Sequence, residues 1–155
     1  MQDKLKLPNN LFFSEVEQWL AAERSVELPA KGRSMWPFVV EGRDKIVLRR
    51  PATVRMGDIV LARMEQSRYV LHRVYRLEKD AITLMGDGNC YAQEHCRLSD
   101  ICGVATEIVR KGQRVDCRSR REQRLWRLWK QLLPVRKWLL RIYRLYLQTH
   151  KRKCI

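Results

Sequence analysis

The sequence predicts a mainly β domain with flanking helices, and three observations carry that expectation. Between Ser25 and about Arg118, short runs rich in Val, Ile and Leu recur with Gly, Asp or Asn between them. On either side of that stretch the apolar residues fall at every third or fourth position, the period of a helix face. A hydrophobic fraction of 45% in 155 residues is enough for one core without disulfide support.

Residues 9–24 read as an amphipathic helix, with Asn9 or Asn10 as N-cap and Phe12, Phe13, Val16, Trp19 and Leu20 on one side. The segment is too short and too charged to span a bilayer. Strands are expected at Val26 to Leu28, Lys45 to Leu48, Ile59 to Met64, Tyr69 to Arg76, Ala81 to Met85 and Gly103 to Arg110. Gly42-Arg43-Asp44, Gly57-Asp58 and Gly86-Asp87-Gly88-Asn89 supply the turns, because Gly, Asp and Asn tolerate the backbone geometry that tight turns demand. After Arg118, Leu125, Trp126, Leu128, Trp129, Leu132, Leu133, Trp138, Leu139, Ile142, Tyr143, Leu145 and Tyr146 form a broad apolar arc beside a basic stripe. Pro134 interrupts this run and can serve as the first residue of a second helix, so two helices or one kinked helix are expected. The organisation read from these patterns is a catalytic unit at 1–118 followed by a basic helical tail at 119–155.

Charge separates the same two parts. Residues 118–155 hold thirteen Lys or Arg and one acidic residue, Glu122, a local balance of +12 in a chain of +15. A charge so confined says what that end touches, namely an anionic surface. Trp and Tyr suit the headgroup boundary, leucines the acyl region and Arg or Lys the anionic lipid, so a membrane surface contacted through 119–150 explains more than nucleic acid does. Amphipathic helices packed on the domain itself or on a partner protein are the competing reading. Basic residues recurring every few positions disfavour a spanning helix, at roughly 2.5 to 3.5 kcal/mol each near the bilayer centre. Five cysteines and no N-terminal secretory pattern point to a reducing, cytoplasmic setting with peripheral membrane attachment.

The chemistry lies in three blocks in order: Gly32-Arg33-Ser34-Met35-Trp36-Pro37, Val70-Leu71-His72-Arg73-Val74 and Met85-Gly86-Asp87-Gly88-Asn89. They offer a hydroxyl, an imidazole and a carboxylate. A serine hydroxyl is a poor nucleophile until a base accepts its proton, and the base needs an orienting partner. Ser34 is thus the candidate nucleophile, His72 the general base and Asp87 the carboxylate that orients His72. The backbone N–H of Ser34 is the candidate oxyanion donor. Asp44 and Asp58 precede apolar strands and read as turn-closing residues. Cys90, Cys96, Cys102 and His95 lack the spacing of the usual zinc knuckles, and neither a metal nor an organic cofactor is implied.

These blocks, with the Gly57-Asp58-Ile59-Val60 strand entry, resemble signal-peptidase-like proteins, a superfamily that includes the LexA-type repressors. The resemblance covers about residues 26–109 and implies a β-barrel-type catalytic domain, a peptide or protein substrate and an acyl-enzyme mechanism. A histidine at the base position is similar to the Ser-His branch of endoplasmic-reticulum-type signal peptidases, where many bacterial relatives have lysine. Tyr91-Ala92-Gln93-Glu94 stands where relatives carry a further aspartate, which makes Glu94 a reserve candidate for the acid. The resulting expectation is a serine endopeptidase acting on extended segments at a membrane surface. The alternative is a catalytically weak or inactive peptide-binding domain of the same fold. A LexA-type DNA regulator is disfavoured, because no helix-turn-helix domain fits before residue 25.

Overall fold

The alternating runs become strands in a computed structural model that describes residues 9–151, which leaves Cys154 outside the described part. Helix α1 (Asn9–Ala21) leads into β1 (Val26–Pro29), β2 (Asp44–Arg49), β3 (Ile59–Arg63), β4 (Tyr69–Glu78), β5 (Ala81–Met85), β6 (Glu94–Arg97), β7 (Ile101–Arg110) and β8 (Gln113–Asp116). Helices α2 (Arg120–Gln131) and α3 (Arg136–Lys151) follow, joined by a short 3-10 turn at Leu133–Val135. All pairings are antiparallel, in the order β1-β2-β7-β3-β4-β5-β6 with β8 added to β7. The sheet curls into a half-barrel, as the mainly β expectation required.

Curling buries both faces, and the two-residue period of a strand sorts side chains between them. Along β3, Ile59 and Leu61 enter one core with Val16 and Leu20 of α1, Ile46, Leu48 and Ile108. Val60 and Ala62 enter a second core with Val70, Val74, Ile82, Leu84 and Val104. Each such aliphatic side chain contributes about 1.5–3 kcal/mol when fully buried. Helix α1 can lie close because Gly103 has no side chain: a Cβ there would stand 2.8 Å from Leu20 Cδ1. The helix stops at Ala21, short of residue 24, and the left-handed backbone at Glu23 (φ 61°) turns the chain into β1.

Two strands were not anticipated. β6 and β8 are four-residue segments with alternating or mostly exposed residues and no Val or Ile run to announce them. The second correction concerns Pro134, which sits in the 3-10 turn while α3 begins at Arg136.

The tail does not stand apart from the half-barrel. Trp126 of α2 is buried at 3% exposure. Its ring meets the Gly57 turn, where a Cβ would lie 2.9 Å from Trp126 Cε3 and 2.7 Å from Gln123 Oε1, and where φ is +94°. Glycine is required there both by backbone conformation and by the helix above it. Ser119 caps α2, its hydroxyl accepting from Glu122 N–H, and the acid in the first turn complements the helix dipole.

Candidate active site

The Ser34 turn is held from two sides. Met35 (5% exposed) and Val39 anchor it in the first core, and Trp36 N–H donates to Arg33 O while Val39 N–H donates to Met35 O. From the other side comes the loop after β5. Gly88 N–H donates to Ser34 O at 2.8 Å, and a Cβ at Gly86 or Gly88 would run into the carbonyl oxygens of Ser34 and Arg33 respectively. The glycines of Gly86-Asp87-Gly88-Asn89 are therefore there to let two backbones touch, and the loop works as a backing plate for the serine.

His72 lies on β4, opposite Val60 of β3. Ser34 and His72 line one cavity of about 230 Å³ with Phe13, Met35, Tyr69 and Leu71. A second cavity of about 210 Å³ continues from it, sharing Phe13, Ala30, Lys31, Ile46 and Leu71 and adding Phe12, Leu28 and Pro29. Together they form a largely apolar groove roofed by α1 and flanked by β1, the end strand of the sheet. Phe13 stacks on Tyr69 with ring centres 5.6 Å apart, and Tyr69 Oη donates to Glu17 Oε2 at 2.6 Å, which fixes that roof.

Burial pushes the His72 imidazole below the ordinary histidine value, with the charges of Glu94 and then Asp87 opposing that shift. The ring is accordingly neutral at pH 7, the form a general base needs. Its Nδ1 stands 3.8 Å from Glu94 Oε2, and both atoms are buried without a hydrogen-bond partner. That distance exceeds a hydrogen bond, so the contact in this state is a carboxylate facing a neutral ring. Glu94 is steadied by Arg68 Nη1, which donates to its Oε1 at 2.9 Å.

Asp87 has a different partner from the one expected. Its carboxylate accepts from Arg73 Nε and Nη2 at 2.7–2.9 Å, while Arg73 Nη1 donates to Gly57 O at 2.8 Å. Both residues are about 2–3% exposed, and the guanidinium lies over the rings of Phe38 and Trp126. The physical reason is strand alternation: Arg73 follows His72 on β4, so the two side chains leave opposite faces, and Asp87 sits on the arginine's side. The expectation that Asp87 hydrogen-bonds His72 gives way to a buried ion pair that ties β4, the Gly57 turn and the loop behind Ser34. The carboxylate nearest the imidazole Nδ1 is that of Glu94.

The tail helices close this assembly. Trp129 Nε1 donates to Asp87 O at 2.9 Å, Arg136 Nη1 to Asn89 O at 3.0 Å, and Arg136 Nη2 to Trp129 O at 3.0 Å. Tyr143 of α3 meets the Trp36 ring edge-on at 5.8 Å. Trp126, Trp129 and Tyr143, expected at a membrane, are thus turned toward the protein, whereas Trp138, Ile142, Leu145 and Tyr146 remain 52–64% exposed. Sequence reasoning passed over Arg73 and Arg136, although an arginine inside an apolar strand and one just after a proline turn were available signals.

Asp44 and Asp58 do close turns, accepting from Val40 N–H and Arg55 N–H at 2.9 and 2.8 Å. Each also binds an arginine from the end of the domain, Arg110 and Arg118 respectively.

A curled antiparallel half-barrel with a serine turn backed by a glycine loop is a peptidase fold of the LexA and signal-peptidase type. The family model described as Peptidase S24-like matches residues 2–106, and the chain belongs to that family. Among curated proteins no match is found. The matched stretch contains Ser34, His72, Asp87 and Glu94 and ends before α2 and α3.

Proposed function

We propose that this chain is a serine endopeptidase of the Ser-His type, related to signal peptidases, which cleaves extended peptide segments at a membrane surface. The observation that carries the reading is the shared cavity of Ser34 and His72, which runs into an apolar groove beside the end strand β1. An extended substrate adds along that strand edge and lays its apolar side chains into the groove. Ser34 Oγ attacks the peptide carbonyl carbon while His72 takes the hydroxyl proton. The oxyanion is held by the backbone N–H of Ser34. When the C–N bond breaks, the imidazolium returns its proton to the leaving amine. Water, deprotonated by His72, then hydrolyses the ester and frees Ser34.

In this reading Asp87 shapes the serine's support and Glu94 faces the base. The membrane part rests on the exposed apolar strip of α3 and its basic flank. Among the described residues no helix is long and apolar enough to cross a membrane, and the attachment proposed is peripheral. A second reading has its own support: with Asp87 engaged by Arg73 and Glu94 at 3.8 Å, the imidazole lacks a hydrogen-bonded acid, as a non-catalytic peptide-binding domain would. Labelling by a fluorophosphonate probe decides between them. The peptidase reading requires labelling of the wild type that disappears in Ser34→Ala and falls at least a hundredfold in His72→Ala; labelling that is absent, or indifferent to Ser34, overturns it.

A further inference from the structure

A basic pocket of about 460 Å³ opens on the far side of the Ser34 turn, between that turn and α3. Its cations are Arg33, Lys137, Arg141 and Arg144, and its apolar wall is Trp36 and Leu140. No Asp or Glu lines it. All four are exposed, and among the described residues none of them forms a salt bridge. Arg33 is held over the Trp36 ring at 5.4 Å, and the buried Nε1–H of that indole has no acceptor.

Lys137, Arg141 and Arg144 stand at i, i+4 and i+7 of α3, where like charges repel and weaken a helix. Arg33 adds a fourth charge from a different element. Such a convergence is stabilised by an anion that several cations share, and guanidinium forks match the oxygens of a phosphate best. On the helix surface the basic row abuts the exposed row of Trp138, Ile142 and Leu145. Phosphate in the pocket would leave an attached apolar chain lying along that second row.

We infer that this pocket is a seat for a phosphate group, presented by an anionic phospholipid whose acyl chains lie on the Trp138, Ile142 and Leu145 strip. The inference rests on the membrane-surface reading above and sharpens it from a diffuse charge effect to one stoichiometric site next to the nucleophile turn.

The test compares the full chain with two variants of equal charge, Arg33→Gln/Arg141→Gln in the pocket and Arg124→Gln/Arg127→Gln on exposed positions of α2. Far-UV circular dichroism and thermal melting confirm that each is folded. Co-sedimentation uses phosphatidylglycerol and phosphatidylcholine vesicles, phosphorus NMR titrates inorganic phosphate, and fluorescence anisotropy follows an acidic peptide. The expected result is a preference for phosphatidylglycerol that the pocket pair weakens at least tenfold more than the α2 pair. Binding of inorganic phosphate through the pocket residues, with no preference between vesicles, supports the seat but assigns it a free anion and overturns the membrane reading. Equal weakening by both pairs overturns the seat and leaves the membrane reading standing. Acidic-peptide binding through the pocket with neither phosphate probe bound overturns it in favour of a substrate contact, and no binding of any probe overturns seat and membrane reading together.

Discussion

His72 and Arg73 are neighbours on one strand, yet the two faces of β4 are built on opposite terms. On the arginine's face the Asp87 carboxylate, Gly57 O and the guanidinium close on each other beneath two aromatic rings. On the histidine's face, His72 Nδ1 and Glu94 Oε2 are buried and unmatched, 3.8 Å apart. Buried polar atoms are normally paired, so an unpaired set costs free energy that the rest of the fold must offset. The matched face holds the shape, and the unmatched face is the one to which the proposed reaction is assigned.

That contrast breaks first at Asp87. Asp87→Asn leaves Arg73 buried without its counter-charge and is expected to cost about 3–5 kcal/mol, read as a fall in urea midpoint. Were Asp87 only an orienting acid, the variant would lose activity at wild-type stability. His72→Ala gives the mirror result: stability within about 1 kcal/mol of wild type, and turnover of a peptide substrate down by the roughly 10²–10⁴ that a general base supplies. Glu94→Gln sits between, with turnover lowered on the order of tenfold, below the full contribution of a general base. Because the Glu94 charge holds the His72 value up, the variant's acid limb moves to lower pH, a displacement that a purely structural role would not produce. Smallest is Trp129→Phe, which removes the hydrogen bond to Asp87 O for about 0.5–1.5 kcal/mol in thermal unfolding.

The pH behaviour follows from the same burial. His72 titrates below the 6.5 of a free histidine, so kcat/KM is expected to hold its plateau to lower pH than an unperturbed base allows. For stability the sign runs with it. As pH falls through 6.5 the unfolded chain takes up a proton that the folded imidazole still refuses, so this group's contribution is complete above that value and declines below it until the folded ring protonates. A His72→Gln variant should lose that part of the acid sensitivity of its urea midpoint.

The sequence showed the frame well and the wiring poorly. β2 to β5 and β7 were legible because Val and Ile runs alternate between two cores, as in Ile59 to Ala62. β6 was invisible, since Glu94-His95-Cys96-Arg97 carries no apolar run, and with it went the means to place Glu94 near His72. Pairing with Leu84 of β5, which in turn pairs with Val74 of β4, is what brings Glu94 to the base. Asp87 was misread for a related reason: its position in a turn motif is written in the chain, but the side of the strand it meets depends on three-dimensional register. The tail's apolar arc was read as one surface, whereas Gly57 and the loop behind Ser34 take up its inner half.

The hydrogen bonds from Trp129 to Asp87 and from Arg136 to Asn89 also have a bearing on biosynthesis. A chain emerging N-terminus first completes Ser34, His72 and the glycine loop well before the residues that brace that loop leave the ribosome. Until residue 136 is free to fold back, the nucleophile's support is unfinished. On the peptidase reading proposed above, hydrolytic competence is therefore expected only once the bracing helices have docked.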